Sequence, residues 1–336
     1  MVTVLIPTAK RPDMLVAALR SISEQTAIKE IVEVIVSENA GDSRSKEVCQ
    51  QFPNLPIKYI FREPQMSAVE HFSSLKKASW SGEFTVMLHD DDWWTPDFLR
   101  KGIDALNSHS KASTFCCNSY DVNDGDILSC PQSLIFWFGA NYPSFKPIWE
   151  MDMREVLVAS LLDNPVHFST MMARAEAFRK SAVIYDTGNK WDVDRMFIFE
   201  LSRYGTVLFS PVPEAFYRFH AQQDTNAHSW ASITAQMSRT TEWMINRSGE
   251  TWESLGDLFY TRICNSPKHL RVRIYDMVLQ PWSLPTLIKH LDKSSDLAKL
   301  YKEIRSRANF KRWIKPIIPP IFLEWGKRVS SSLKRK

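Results

Sequence analysis

The chain opens with an unbroken apolar run, residues 2–6, followed by the turn-forming stretch Pro7-Thr8-Ala9-Lys10-Arg11-Pro12-Asp13. Leu15, Ala18, Leu19 and Ile22 then recur at helical spacing, so a buried strand is followed by an amphipathic helix. The alternation repeats. A β-branched run at 31–36 ends in Ser37-Glu38-Asn39-Ala40-Gly41-Asp42. A third run, 57–61, leads through Pro64 to Ser67-Ala68-Val69-Glu70, a capping box that predicts a helix reaching about Ala78. Gly82 precedes a fourth apolar run, 84–88, which ends in Asp90, Asp91 and Asp92. Thr95, Pro96 and Asp97 then supply N-cap, first-position and first-turn signals for another helix. Strands alternating with helices predict a parallel sheet covered on both faces. Their C-terminal ends share one edge, so Thr8, Glu38 and the three aspartates should converge where open α/β sheets bind ligands.

The pattern loosens after residue 106. Residues 114–119 read as a strand, Asp124-Gly125 as a turn, 151–162 as a helix stopped before Pro165, and 168–172 as a strand. Phe136, Trp137, Phe138, Tyr142, Phe145 and Trp149 crowd one stretch, either as core or as a loop facing a cleft. Trp191-Asp192-Val193-Asp194 opens a helix with Val193, Met196, Phe197, Leu201 and Tyr204 on its apolar face, closed by Gly205. One of Asp192 and Asp194 serves the helix terminus, which leaves the other spare. Tyr217-Arg218-Phe219-His220 alternates as a strand would, placing Arg218 and His220 on one face as an anion or metal contact. Residues 228–290 read as helical and rich in tryptophan.

At 336 residues with 44% hydrophobic and 24% charged positions, the chain is long enough for one large domain or two modest ones. Five cysteines (49, 116, 117, 130 and 264), odd in number and without Cys-x-x-Cys spacing, suggest reduced thiols in a cytoplasmic protein. Residues 2–6 lack the basic flank of a signal peptide, and no run approaches the ~18 apolar residues of a spanning helix. The net charge of +4 is unevenly distributed: residues 310–336 hold eight basic side chains and one acid, or +7, which leaves −3 elsewhere. An acidic body argues against nucleic-acid binding. The basic tail, with Trp313, Ile314, Ile317, Ile318, Ile321, Phe322, Leu323 and Trp325, is patterned for a membrane surface or for packing on the body, and Pro316, Pro319 and Pro320 interrupt any continuous helix.

Three adjacent carboxylates repel one another, and a hard divalent cation, Mn²⁺ or Mg²⁺, is the natural counter-charge. No Gly-x-Gly-x-x-Gly follows a strand and no Gly-Lys-Ser/Thr loop is present, which argues against Rossmann dinucleotide binding and P-loop chemistry.

Taken together, these motifs resemble the family 2 glycosyltransferases of the GT-A fold. The resemblance runs through Val-Thr-Val-Leu-Ile-Pro-Thr with Arg11-Pro12, the segment 36–42, Leu88-His89-Asp90-Asp91-Asp92 with Pro96, the helix 192–205, and Tyr217-Arg218-Phe219-His220. It covers about residues 1–225. It implies an α/β fold: a GT-A-type mixed, mostly parallel sheet flanked by helices, with a helical C-terminal extension. It divides the chain into a glycosyltransferase domain, 1–225 (nucleotide-sugar and metal half 1–106, acceptor half 107–225), a helical extension, 226–298, and the tail, 299–336. It implies that Thr8 and Glu38 hold base and ribose, with Arg11 beside them, that Asp90 contacts ribose or phosphate, and that Asp91 and Asp92 carry the metal. Asp194 becomes the general base, with Asp192 the alternative because Val193 stands where the family often has Glu. Arg218 and His220 complete the nucleotide-sugar site.

The implied activity is metal-dependent, inverting transfer of a sugar from a nucleoside diphosphate sugar to a hydroxyl of a glycan or lipid-linked acceptor in surface polysaccharide assembly. The implied setting is the cytoplasm, with peripheral contact at the inner face of the plasma membrane. Two other classes use the same features: a non-catalytic sugar-nucleotide or glycan-binding protein, and a nucleotidyltransferase, although Pro7-to-Asp13 lacks the glycine such a phosphate loop carries.

Overall fold

The computed structural model describes residues 1–41, 44–78, 80–123, 126–129, 132–141, 146–181, 192–220, 229–267 and 270–314. Asp42, Cys130, the Asp124-Gly125 turn, Tyr142, Phe145, Trp191 and the tail from residue 315 lie outside them. Among the described residues, ten strands form one sheet: β1 (Val2–Thr8), β2 (Ile31–Asn39), β3 (Ile57–Arg62), β4 (Phe84–Met87), β5 (Trp93–Trp94), β6 (Ala112–Asn123), β7 (Asp126–Ser129), β8 (Trp149–Met151), β9 (Met171–Arg174) and β10 (Thr206–Arg218). Their order is β3-β2-β1-β4-β9-β6-β10-β5, with β7 on β6 and β8 on β10. The long ladders, β3-β2-β1-β4 and β6-β10, are parallel. Short antiparallel ladders complete the sheet, and β9 joins the two parallel blocks by pairing with β4 on one side and β6 on the other.

The period of two along each strand sorts side chains into two cores. Val2, Val4, Ile6, Val34, Val36, Val86, Phe115 and Leu208 face the helices Pro12–Ser23, Arg44–Gln50 and Phe98–Ser108. Leu5, Ile35, Met87, Cys116, Val207 and Phe209 face the helices Ala68–Lys77, Gln132–Ala140, Ala175–Lys180 and Val193–Ser202. Leu15, Ala18, Leu19 and Ile22 are all fully buried, as their spacing predicts. The capping box at Ser67 is formed: its hydroxyl accepts from the Glu70 N–H while the Glu70 carboxylate accepts from the Ser67 N–H. Phe136, Phe138 and Trp149 are core residues. A third apolar cluster joins Leu157, Val158, Leu161, Leu162 and Phe199 to Met244, Ile245, Leu255, Phe259, Ile263, Leu284 and Leu297 of the C-terminal helices. The last helix, Asp296–Ile314, runs across residue 298, and its Ile304 belongs to that cluster.

Four local expectations change. The helix after the aspartates starts at Phe98, because the Thr95 hydroxyl is drawn to Glu214 and Trp93–Trp94 pair with β10 first. Residues 168–172 divide into a 3₁₀ turn, Phe168–Thr170, and the start of β9. Asp192 sits at the N-cap position but makes no capping hydrogen bond, since its carboxylate is taken by Arg195. Tyr204 is 42% exposed, and its hydroxyl donates to the Lys180 carbonyl.

Candidate active site

β1, β2 and β4 run parallel, so the turns after them meet at one edge. After β1 the chain turns through Lys10 in a left-handed conformation (φ 59°), which aims its backbone N–H at Glu38 Oε1, 2.9 Å away. Glu38 is fully buried at the end of β2, and its Oε2 has no hydrogen-bond partner among the described residues. Gly41 closes over it: a Cβ there would stand 1.5 Å from Glu38 Oε1, so any larger residue would push the Glu38 carboxylate aside. A buried acceptor left open in this way is a cost unless a ligand donor satisfies it.

Thr8 Oγ1 donates to Asp90 Oδ2 (2.7 Å), and the Arg11 guanidinium bridges Asp90 Oδ1 (2.7 Å) and Asp91 Oδ2 (2.8 Å). His220 Nε2 lies 3.0 Å from the same Asp91 oxygen. Asp92 accepts from the Ser169 hydroxyl at Oδ2 (2.6 Å) and from the Arg218 N–H at Oδ1 (3.1 Å). The Arg218 guanidinium lies over the Trp93 ring, 4.8 Å from its centroid. Thr8, Arg11, Asp90, Asp91, Asp92, Arg218 and His220 thus form one cluster. Part of the counter-charge that the triplet needs comes from Arg11. Burial pushes Asp90 upward against the pull of Arg11. Burial and then the Asp91 charge push Asp92 well above the usual carboxylate range. For Asp91 burial acts in the same sense, but His89, Arg11 and His220 outweigh it and hold the group low.

His89, Asp91 and Asp92 each offer a ligand atom within 4.8 Å of the others. An imidazole and two carboxylates form a donor set suited to a hard or borderline divalent ion. His89 was overlooked as a candidate although it directly precedes the triplet. Its ring packs against Phe72 and Phe168, which also pack on each other. Ser169 gave no signal in the sequence at all, because its role comes entirely from a contact across 77 positions.

Asp194 lies on the first turn of the helix Val193–Ser202, with its side chain 20% exposed. The Phe168 backbone and the Asn164 side chain favour its charged form, and His167 Nδ1 stands 3.9 Å from its Oδ2. Burial and then the neighbouring Asp192 charge push it up to about 7. Burial holds His167 down at about 4, so it is neutral at physiological pH. The His167 ring stacks on Tyr217 at 3.9 Å between centroids. Burial, then the charges of Asp92, Asp194, Asp91 and Asp121 in turn, raise the Tyr217 phenol. Asp192 is set apart: it is 2% exposed and paired with Arg195 at 2.6 Å. The segment 167–169 therefore meets Asp194 through His167 and Asp92 through Ser169.

A mixed, mostly parallel sheet flanked by helices, with a buried acidic triplet at its edge, has the GT-A architecture. The chain belongs to glycosyl transferase family 2, whose family profile matches residues 3–174. A Haemophilus influenzae protein described as an uncharacterized glycosyltransferase is 22% identical over 314 residues, spanning 89% of this chain and 93% of that one. Two solved structures share the fold. S. aureus TarS 1-349 in complex with UDP-GlcNAc has a TM-score of 0.62 at 12% identity, with 92% of each chain covered. The mannosyltransferase PcManGT from Pyrobaculum calidifontis, in complex with GDP-Man and Mn²⁺, has a TM-score of 0.51 at 14% identity, covering 94% of this chain and 83% of that one.

Proposed function

We propose that the protein is a metal-dependent, inverting glycosyltransferase that uses a nucleoside diphosphate sugar and glycosylates a hydroxyl of a glycan or lipid-linked acceptor. The observation that carries this reading is that residues 167–169 touch both acidic groups: His167, stacked on Tyr217, stands 3.9 Å from Asp194, and Ser169 donates to Asp92 of the metal-competent set.

In this reading Glu38 Oε2 receives an N–H of the nucleoside, and Thr8 and Arg11 hold Asp90 in place beside the ribose and phosphates. Arg218 and His220 lie where they can meet the negative charge of the departing diphosphate. His89, Asp91 and Asp92 would hold Mn²⁺ or Mg²⁺, and the bound ion would act as a Lewis acid on the diphosphate. Asp194 takes the proton from the acceptor hydroxyl, whose oxygen forms the new bond to the anomeric carbon. The bond from that carbon to the diphosphate oxygen breaks, and its electron pair leaves with the nucleoside diphosphate. Attack from the face opposite the leaving group inverts the centre, which passes through an oxocarbenium-like state. Asp192 is a weaker candidate for the base, because its carboxylate is sealed from the cleft and bound to a guanidinium.

Calorimetric titration with UDP, GDP, CDP and dTDP, with and without Mn²⁺, tests the donor side, and a turnover panel headed by UDP-GlcNAc and GDP-Man follows. Metal-dependent binding of one nucleotide, lost in Asp92→Asn, is the expected result. Folded protein that binds none of the four would overturn the reading. Metal-dependent binding with no turnover on any acceptor would instead favour a sugar-nucleotide-binding protein.

A further inference from the structure

Arg195 follows Asp194 in the chain and is completely buried. Its guanidinium reaches three places at once. It pairs with Asp192 Oδ2 at 2.6 Å, donates to the Ser160 carbonyl at 3.1 Å, and donates to the Met237 carbonyl and the Thr241 hydroxyl at 2.6 and 3.2 Å. Ser160 lies in the last turn of the helix Met153–Leu162, where carbonyls lack partners within the helix and the helix dipole favours a cation. Met237 and Thr241 belong to the helix Trp230–Ser248, beyond the region matched by the family profile. At the far end of the Asp194 helix a second tie forms: buried Glu200 pairs with Arg203 and with Arg247 of the same C-terminal helix. The helix Val193–Ser202 is therefore fastened to the helix Trp230–Ser248 at both ends.

Stability alone is a poor reason for the first of these ties. Taking a guanidinium and a carboxylate fully out of water costs several kcal/mol per ion, and packed apolar residues often serve as well or better. What an apolar residue cannot provide is a fixed fork that grips three elements in defined directions. We propose that Arg195 is a positioning residue for the glycosyl transfer: through Asp192 it locks the first turn of its helix onto the C-terminal helices, and so sets where the Asp194 carboxylate stands. The inference rests on the reading of Asp194 as the base. It makes the C-terminal helices part of the catalytic unit. The charged and titratable groups around Asp194 are Asp192 and Arg195 on its own element, Asp163 at the end of the helix Met153–Leu162, His167 before the 3₁₀ turn, and Tyr217 on β10; the helix Trp230–Ser248 meets Arg195 with Met237 and Thr241, which carry no charge.

The test uses the full chain and the donor that the panel selects, with its hydrolysis by water as the turnover readout. Arg195→Met, Arg195→Lys, Asp192→Asn and Glu200→Gln are compared with wild type and with Asp194→Asn. Arg195→Met is expected to lower kcat by on the order of 10²-fold, the usual cost of displacing a reacting group by about 1 Å, with donor KM unchanged. Arg195→Lys, which keeps the charge beside Asp192, recovers part of the loss. Asp192→Asn moves the acid limb of kcat to lower pH, because a negative neighbour of Asp194 is gone. Glu200→Gln lowers Tm but leaves kcat and the limb in place. Folded Arg195→Met and Asp192→Asn with wild-type kcat and limb would overturn the proposal. So would a kcat loss in Glu200→Gln equal to that in Arg195→Met, since the tie would then be merely structural. If Arg195→Met does not fold, Asp192→Asn decides by its limb alone. Wild-type hydrolysis by Asp194→Asn would overturn the base assignment itself, and with it the inference.

Discussion

At the scale of single residues the site is a problem of charge placement. Asp90, Asp91 and Asp92 are buried side by side, and Arg11, His220, Thr8, Ser169 and the Arg218 N–H distribute the charge. Asp194 is the residue whose protonation should be visible from outside. With its carboxylate pushed up to about 7, the proposed base is half-protonated near neutrality. Only the anion can accept a proton, so kcat should rise with pH through about 7 and level off above it. His167, held near 4, stays neutral over that range and adds no second limb. Asp194→Asn should remove the limb and lower kcat by ~10²–10⁴ while leaving nucleotide affinity intact, as read by pH–rate profiles and calorimetry. The limb and the stability curve run in opposite senses. A carboxylate with a raised folded pKa favours the folded state as pH falls from about 7 toward the ordinary 3.8, so activity is lost on acidification before stability is. The triplet was legible in the sequence because buried strand, acids and helix signal are contiguous. Ser169 and the Asp194–His167 approach were not, because each is made by segments distant in the chain.

At the scale of elements, local signals succeeded where they were complete within a few residues. Ser67 and Glu70 form their capping box, and Leu15 to Ile22 bury the face that their spacing marks. Ser67→Ala should cost about 1 kcal/mol. In a chain of this length that is a fall of roughly 1–2 °C in Tm, measurable by calorimetry, with kcat unchanged. Signals failed where a distant partner outbid the local one. Thr95 looks like an N-cap, but its hydroxyl goes to Glu214. Asp192 looks like one too, but Arg195 claims its carboxylate. In both cases a charged group brought near by the fold draws the side chain away from the backbone N–H it would have capped. Residues 168–172 read as one strand, and the 3₁₀ turn Phe168–Thr170 is set instead by distant contacts, Ser169 with Asp92 among them.

At the scale of the whole molecule, the two halves share one sheet through β9, and the C-terminal helices share a core with the second half. Phe138, Leu157, Val158, Leu161, Leu162 and Phe199 pack against those helices. Exposing them forfeits about 1.5–3 kcal/mol each, in sum comparable to the 5–15 kcal/mol of a typical protein's entire stability. Residues 1–225 produced alone should therefore lack a cooperative thermal transition, and a sharp, reversible one would refute this. Sequence patterning showed the helices but not which body they complete, because an apolar face does not name its partner.

The turn 167–169 carries a consequence for substrate choice. Two residues apart on it, His167 stands beside Asp194 and Ser169 steadies Asp92. On the proposed reading, the gap between leaving group and nucleophile is thus gauged by a short link of the backbone rather than by how far two lobes swing shut. An enzyme so built would discriminate by reach, taking a hydroxyl presented at that span and passing over a recessed one, however well the rest of the acceptor binds.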